Sequence, residues 1–241
     1  MRSMNQGDDW TPISPDLTAG GKKGNVPYGT LTNISESPFQ FGLLYTGSDD
    51  GVIQVTQDAG GSWDIISAGL PQNLWVSKVI ASSHKKSRVY ATLNGYRYDD
   101  FKPYVYVSDD YGKNWKDISS NLPLSPVNVI IEDPVKENIL YLGTDDASYI
   151  SFDQGARWQL LDGSMPNVAV HDMVVQTEAN DLVIGTHGRS IYITNLDEIQ
   201  KFDTKNASDL QLFKLDAVDY STNWGRSWSA WRAVNTPEIK I

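Results

Sequence analysis

The sequence contains no cysteine and no long run of apolar residues. Without cysteine the chain has no disulfides, no zinc–thiolate site and no thiol catalysis. No stretch approaches 18 consecutive apolar residues, so none predicts a membrane-spanning helix. The sequence also shows no secretory signal peptide ahead of its first motif. These absences exclude thiol chemistry and a membrane-spanning helix in this sequence.

Basic residues are scarce as well. Lys and Arg number 20 against 30 Asp and Glu, which gives a formal net charge of −10, and no basic stripe offsets it. Such a surface repels nucleic-acid phosphates and anionic lipid headgroups. We therefore expect no nucleic acid and no membrane among the partners.

Aromatic and turn-forming residues are plentiful. Of 241 residues, 40% are hydrophobic and 11% aromatic, with eight Trp, 19 Gly and 11 Pro. This composition is typical of a globular chain with many turns rather than of a disordered one. All-β assemblies of this length often form one domain.

One short pattern, Ser/Thr-x-Asp-x-Gly-x-x-Trp, occurs four times. The copies begin at Ser3, Thr56, Ser108 and Ser151, so they are spaced by 53, 52 and 43 residues. Repeats of this length favour successive antiparallel sheets over helical solenoids. The Asp position holds Asp58, Asp110 and Asp153, and Asn5 replaces Asp in the first copy. The aromatic positions are Trp10, Trp63, Trp115 and Trp158.

We interpret each copy as a structural turn. The Asp or Asn side chain accepts hydrogen bonds from backbone N–H groups of its own turn, and Gly supplies a positive φ. The Trp then begins the next strand and packs its large ring between sheets. Four matches at near-regular spacing therefore predict an array of blades.

These motifs resemble the Asp-box, or bacterial neuraminidase repeat. This repeat occurs in sialidases, in xyloglucanase-type glycoside hydrolases and in sortilin-type receptor domains. Further segments, 10–18, 47–51 and 184–193, resemble the sortilin-like and glycosyl-hydrolase-like propellers of large secreted bacterial proteins. The resemblance covers roughly residues 1–195. It implies a β-propeller that is secreted, periplasmic or at the cell surface, with Asp-boxes away from any active site.

Strand patterns within each repeat predict an all-β propeller of about four four-stranded blades. We place them at 29–67, 76–119, 127–161 and 169–194, the last without its own motif or fourth strand. Residues 1–14 supply a strand that completes a blade, so either the ring closes on itself or the chain is part of a larger ring. Closure by a homodimer is a further alternative. Residues 196–241 are predicted to be a connector that begins with a short helix at 196–202, and the resemblance implies a β-sandwich after it in a longer parent.

Loops between the second and third strand of each blade gather at one end of a propeller. Those loops contain the candidate ligand-binding residues Asp49, Asp50, Tyr96, Arg97, Tyr98, Asp99, Asp100, Asp145, Asp146, His187 and Arg189. Their carboxylates suit three roles: glycoside hydrolysis, Ca²⁺ binding, or an acidic rim for a partner. Alternatively, the Asp-Asp pairs are ordinary hairpin turns. The long aromatic loop at 94–103 is the strongest contact candidate.

The families that this sequence resembles have several functions, and the residues favour some of these functions over others. A sialidase needs three arginines around its substrate carboxylate, and the seven arginines here leave only Arg97 and Arg189 on the loop end. We therefore predict a binding or scaffolding propeller whose acidic and aromatic loop face takes a protein, peptide or glycan. The alternative is part of a glycoside hydrolase for a neutral polysaccharide, acting through paired Asp. No catalytic residue and no metal ligand are assigned, and the only cofactor considered is Ca²⁺.

Overall fold

The computed structural model describes residues 1–20, 29–161 and 165–202, and it is built of antiparallel sheets. Sheets 1 to 4 follow one another along the chain, which confirms the predicted all-β propeller of about four blades. Sheet 1 contains β1 (Leu31–Glu36), β2 (Leu44–Ser48), β3 (Ile53–Thr56) and β4 (Asp64–Ile65). Sheet 2 contains β5 (Trp75–Ala81), β6 (Val89–Gly95), β7 (Asp100–Ser108) and β8 (Lys116–Asp117).

The second half of the array repeats the first with one strand fewer. Sheet 3 contains β9 (Val127–Glu132), β10 (Leu140–Thr144), β11 (Ser148–Ser151) and β12 (Gln159–Leu160). Sheet 4 contains β13 (Val170–Gln176), β14 (Asp181–Thr186) and β15 (Ile191–Asn195). In each sheet the spatial order of the strands is their chain order, because short turns join antiparallel neighbours.

Hydrophobic cores lie between consecutive sheets. The second strands, β2, β6 and β10, are buried along their whole length. Both faces of β6 and β10 meet a neighbouring sheet, and β2 packs against sheet 2 on one face. One core joins sheets 1 and 2, a second joins sheets 2 and 3, and a third joins sheets 3 and 4. Each fully buried Leu, Ile or Val side chain contributes about 1.5–3 kcal/mol relative to exposure.

The four repeated turns share one hydrogen-bond pattern. In the second turn, Asp58 Oδ1 accepts from Thr56 Oγ1 at 2.7 Å and from Ser62 N at 2.9 Å, while Gly60 N donates to Thr56 Oγ1 at 2.9 Å. The same bonds recur around Asn5, Asp110 and Asp153. Positive φ extends to the residue before each glycine, which is Gln6, Ala59, Tyr111 or Gln154. The sequence prediction had assigned positive φ to the glycines only.

Three of the four motif tryptophans tie their turns to the preceding repeat. The indole N–H of Trp115 donates to Ile66 O at 2.6 Å, and that of Trp158 donates to Ile118 O at 2.7 Å. Trp63 donates in the same way to Ile13 O at 2.8 Å. Each acceptor lies three residues after the previous repeat's Trp. Relative to sheet 1, residues 10–13 therefore occupy the place that an outer strand of a preceding sheet would occupy.

This placement differs from closure within one chain. Residues 1–14 lie beside sheet 1, where Arg2 and Thr11 form an isolated antiparallel bridge. Among the described residues β15 pairs only with β14, so sheet 4 has no fourth strand from this segment.

The chain divides into two compact units, Met1–Gln200 and Lys201–Ile241. The short helix predicted after residue 196 is present as α1 (Asp197–Lys201). The rest of the predicted connector, from 203 onward, lies outside the described residues. No helix within the described ranges has the length and apolarity that a bilayer crossing needs.

Candidate functional site

A cavity of about 480 Å³ lies where the second strands of sheets 2, 3 and 4 turn into the third strands. Its walls come from those turns and from the starts of the first strands of the same sheets. The described residues that line it are Trp75, Asn94, Tyr96, Arg97, Asn128, Asp145, Ala169, His171 and His187. Side chains from three sheets thus meet at one end of the array, as propeller geometry requires of these loops.

A chain of amide hydrogen bonds crosses the cavity wall from sheet 2 to sheet 4. Asn94 Nδ2 donates to Asn128 Oδ1 at 2.9 Å. Asn128 Nδ2 in turn donates to Asp145 Oδ1 at 2.8 Å and to Val170 O at 3.2 Å. These bonds fix the Asp145 carboxylate in place and leave its Oδ2 without a hydrogen bond among the described residues.

Trp75 and Arg97 form a second part of the wall. The Arg97 guanidinium carbon lies 5.3 Å from the centre of the Trp75 ring, and its Nη1 lies 3.6 Å from Asp49 Oδ2. This arrangement combines a cation–π contact with an ion pair. The Trp75 indole nitrogen is buried, and it has no hydrogen-bond partner among the described residues. Buried polar groups are rarely left unpaired, so this donor calls for an explanation.

Two histidines complete the cavity. The rings of His171 and His187 lie 5.1 Å apart with a 32° angle between their planes. The His187 backbone N–H donates to Ala169 O at 2.8 Å, which fixes the turn. Both residues are exposed and line the cavity, and neither ring is hydrogen-bonded within the described part of the chain. Arg189 is exposed and does not line it.

The first acidic pair has a structural role in this geometry. Asp49 Oδ1 accepts from Thr30 N at 2.7 Å, and Asp50 Oδ2 accepts from Ala19 N at 2.8 Å. Both residues are buried. Their carboxylates therefore hold the segment before β1 against sheet 1 and do not form an open acidic rim.

Only part of the aromatic loop of sheet 2 lines the cavity. Tyr96–Tyr98 form one turn of 3-10 helix, which ends at Asp99 in a left-handed conformation with φ 55°. Tyr96, 61% exposed, packs edge-on against Phe101 with ring centres 6.3 Å apart and lines the cavity. Tyr98, 44% exposed, and Asp99 do not line it.

The Asp100 carboxylate is hydrogen-bonded to residues of its own strand. Its Oδ2 accepts from the Tyr104 hydroxyl at 2.7 Å, and its Oδ1 accepts from Lys102 N at 3.1 Å. Burial, together with the bond to Asp100, raises the pKa of Tyr104 to about 12. This carboxylate is therefore engaged before any ligand arrives.

The structure thus brings together four of the predicted site residues, Tyr96, Arg97, Asp145 and His187, with Asn94 from the start of the predicted contact loop. It adds Trp75, Asn128 and His171, which were not among the candidate site residues. Asp146 is exposed outside the cavity. The described residues contain no group of three or more His, Asp or Glu side chains arranged to hold a metal ion. Calcium binding stays a prediction.

Solved structures with this fold include large carbohydrate-active enzymes. The GH74 enzyme of Niastella koreensis has a TM-score of 0.55 and 12% identity over 68% of this chain and 28% of its own. The GH74 xyloglucanase from Xanthomonas campestris has a TM-score of 0.55 and 13% identity over 70% of this chain and 29% of its own. At such identities the likeness shows the fold alone.

An extracellular domain has the same fold. That of the putative one-component system from B. thetaiotaomicron has a TM-score of 0.53 and 15% identity over 71% of this chain and 22% of its own. The chain spans about a quarter of the length of these structures. No curated protein matches it significantly.

Membership of a family comes from the sequence of the second half. Residues 103–236 match the family model Sortilin-Vps10, described as sortilin, neurotensin receptor 3. The match takes in more than half of the 241 residues and includes sheet 3, sheet 4 and most of the cavity wall. The chain is a β-propeller scaffold that belongs to the Sortilin-Vps10 family.

Proposed function

We propose that the chain is a binding propeller that captures a protein segment, peptide or glycan in the cavity and releases it unchanged. The observation that carries this proposal is the buried, unpartnered indole nitrogen of Trp75 at the cavity wall. A buried donor without a partner costs about 1–3 kcal/mol. A ligand that brings an acceptor oxygen to this N–H offsets the cost, and because the nitrogen is buried, the side chains that cover it must shift for that contact to form.

The other polar groups of the cavity indicate what such a ligand carries. Besides Trp75, His171, His187 and the Tyr96 hydroxyl supply N–H and O–H groups with no described partner, while Asp145 Oδ2 is an available acceptor. Donors therefore outnumber carboxylate acceptors. Peptide carbonyls and sugar oxygens both match this excess, and the rings of Trp75 and Tyr96 add apolar contact area.

The hydrolase alternative receives less support from the same geometry. Glycoside hydrolysis ordinarily uses two carboxyl groups about 5–9.5 Å apart across the scissile bond. Asp145 is the one carboxylate among the described residues that line the cavity. Sustained cleavage of a neutral glucan with a bell-shaped pH–rate profile, abolished by Asp145→Asn, would overturn binding without turnover.

Two finer assignments accompany this proposal. The repeated turns act as Asp-box turns with a purely structural role, since their Asp side chains accept hydrogen bonds from residues of the same turn. We also place the chain outside the cytoplasm, because the B. thetaiotaomicron structure of the same fold is an extracellular domain. Fractionation of the source cells tests the second assignment, and recovery of the protein in the cytosol contradicts it.

The binding test uses pairs of residues from the same loop, of which one lines the cavity and the other does not. Peptides from a tryptic digest and neutral glucan oligosaccharides are screened by calorimetry against the whole chain. We expect Tyr96→Ala and His187→Ala to weaken binding at least tenfold, or about 1.4 kcal/mol. Their matched controls, Tyr98→Ala and Arg189→Ala, lie in the same loops but outside the cavity. Equal losses in both pairs would contradict the cavity as the site.

A further inference from the structure

The carboxylate of Asp145 is the one negative charge among the described residues that line the cavity. Its Oδ1 accepts from Asn128 Nδ2 at 2.8 Å, and the Asn128 side chain is itself held by bonds to Asn94 and to Val170 O. The groups that fix this carboxylate are thus neutral amides. No lysine or arginine of the described residues forms an ion pair with it.

Two basic residues belong to the strands and loops around the cavity, and each has its own carboxylate. Arg97 lines the cavity, and its Nη1 lies 3.6 Å from Asp49 Oδ2. Lys78 lies on the first strand of sheet 2, and its Nζ lies 2.8 Å from Oδ1 of Asp172 on the first strand of sheet 4. These pairs balance their own charges, so the charge of Asp145 has no counterpart among them.

The same position in sheet 1 holds Asp49, which shows what a carboxylate there can bind. In both sheets the backbone N–H of this residue donates to the residue just before the first strand. Asp49 N donates to Thr30 O at 2.9 Å, and Asp145 N donates to Pro126 O at 3.0 Å. The two carboxylates are therefore placed alike on their sheets.

A basic side chain already occupies the site at Asp49. Oδ1 of this residue accepts from a backbone N–H, and Oδ2 faces the Arg97 guanidinium. The guanidinium carbon lies 5.3 Å from the centre of the Trp75 ring. A carboxylate and an aromatic ring together thus hold one cationic group of the chain itself. At Asp145 the carboxylate is in place, and the cation is not.

The rest of the cavity suits such a side chain. The rings of Trp75, Tyr96, His171 and His187 line it together with Asp145. Rings of this kind give apolar surface to the methylene stem of a lysine or arginine, while a carboxylate takes the charged end. The net charge of −10 also attracts cationic peptides from solution. A neutral sugar gains from the rings but not from the charge.

We propose that the cavity binds a peptide through a lysine or arginine side chain, whose charged end pairs with Oδ2 of Asp145. The inference rests on the proposed function, because it names the ligand of the same cavity, and it selects a peptide over a glycan. Backbone carbonyls of that peptide accept from the Tyr96 hydroxyl, so both kinds of polar group in the cavity are used.

The test compares pools of heptapeptides that differ only in the charge of the central residue. One pool has a central arginine and the other has citrulline, its uncharged isostere, and a lysine pool is compared with an acetyl-lysine pool. All ends are acetylated and amidated, and the flanking positions exclude charged residues. We expect the immobilised whole chain to retain at least one charged pool about tenfold more than its neutral counterpart. High salt should reduce this preference.

Two variants with the same change of charge show whether Asp145 is responsible. Asp145→Asn keeps an acceptor oxygen for Asn128 and removes the charge, so it should retain charged and neutral pools equally. Asp146→Asn makes the same change at the next residue, which is exposed outside the cavity, and it should keep the preference. Urea unfolding midpoints near that of the wild type establish that both variants fold.

The outcomes separate this inference from the proposed function. If charged and neutral pools are retained equally and Tyr96→Ala weakens both, the cavity binds peptides but the inference is wrong. Binding of glucan oligosaccharides alone in the cavity overturns the inference and leaves the proposed function standing. A preference that survives Asp145→Asn, or that Asp146→Asn removes as well, reflects the surface charge of the chain and also overturns it. If no probe binds, both proposals fail.

Discussion

At the scale of single residues, the repeated turns show which property of the acidic position is required. Asn5 replaces Asp in the first turn, yet its Oδ1 accepts from Ser3 Oγ and Asp9 N at 2.9 Å each. Asp110 makes the equivalent bonds with Ser108 Oγ and Asn114 N. An acceptor oxygen therefore suffices for the geometry, and the carboxylate charge adds a dependence on pH.

That charge predicts a loss of stability in acid. Hydrogen bonds from the side chain and backbone of Asn114 lower the pKa of Asp110 from 3.8 to about 2, and the backbone N–H of Ser62 does the same for Asp58. Because the folded pKa lies below the unfolded one, the contribution is complete above about pH 4 and disappears as pH falls toward 2. We expect the stability difference between wild type and Asp110→Asn, from urea unfolding, to shrink over this window. A difference that is constant from pH 6 to pH 2 would contradict the assignment.

The tryptophans of the turns predict a second contrast. Trp158 is 4% exposed and donates to Ile118 O, whereas Trp10 is 58% exposed and its indole has no described partner. Trp158→Phe leaves a buried carbonyl unpaired, so we expect a loss of about 1–3 kcal/mol in the free energy of unfolding. Trp10→Phe should cost less than about 0.5 kcal/mol. Chemical denaturation of both variants measures the difference, and similar losses would show that the indole bond does not join the sheets.

At the scale of elements, the sheets follow from the sequence because each strand is short and bounded by turns. Apolar runs such as Leu140–Thr144 become central strands that are buried on both faces. The outer strands are two residues long and exposed, so they carry little pattern of their own. What locates them is the Trp that precedes them, which is why the four-blade plan could be predicted.

The candidate site was less predictable, for a geometric reason. A register shift lies between Val76 and Lys78 in β5 and between Val170 and Asp172 in β13, and it changes which side chains face the cavity, so alternation alone does not mark His171. Tyr96 and Tyr98 lie in one 3-10 turn, in which neighbouring side chains point in different directions. Sequence identifies the loop but not which of its residues turn inward. The sequence does not mark Trp75 as a site residue, because an aromatic residue at the start of a strand is common in β-sheets.

Close packing of the turns on the preceding sheet predicts a contrast between two glycines. Gly112 and Gly69 have nearly the same backbone, with φ of 86° and 85°. A methyl group at Gly112 would collide with Ile66 Cδ1, whereas one at Gly69 meets no described atom within 4 Å. Gly69→Ala should therefore cost only the backbone strain, about 1–2 kcal/mol. Gly112→Ala adds overpacking of about 1–3 kcal/mol. Equal thermal unfolding shifts in the two variants would contradict this packing.

At the scale of the whole molecule, successive sheets do two things at once. Their apolar faces join through repeated junctions, and the same stacking carries loop residues of sheets 2, 3 and 4 to one cavity. The Asn128 side chain couples the two, because it bonds to Asn94 of sheet 2 and to Val170 O of sheet 4, and it also holds Asp145 in the cavity wall. Asn128→Ala is therefore expected to lower both stability and ligand affinity, whereas Tyr96→Ala lowers affinity alone. Calorimetric binding and urea unfolding of both variants test this separation, and an Asn128→Ala protein with unchanged stability would contradict it.

The most direct test of the binding cavity is the ¹⁵N indole spectrum of the chain, with the Trp75 signal assigned through Trp75→Phe. Trp75 has a free buried donor, whereas Trp63, Trp115 and Trp158 already donate to carbonyls and serve as internal controls. Glucan oligosaccharides and tryptic peptides are added in turn. The account predicts that a bound ligand moves the Trp75 signal and leaves those three in place. A ligand that binds without moving the Trp75 signal would contradict the cavity as the functional site.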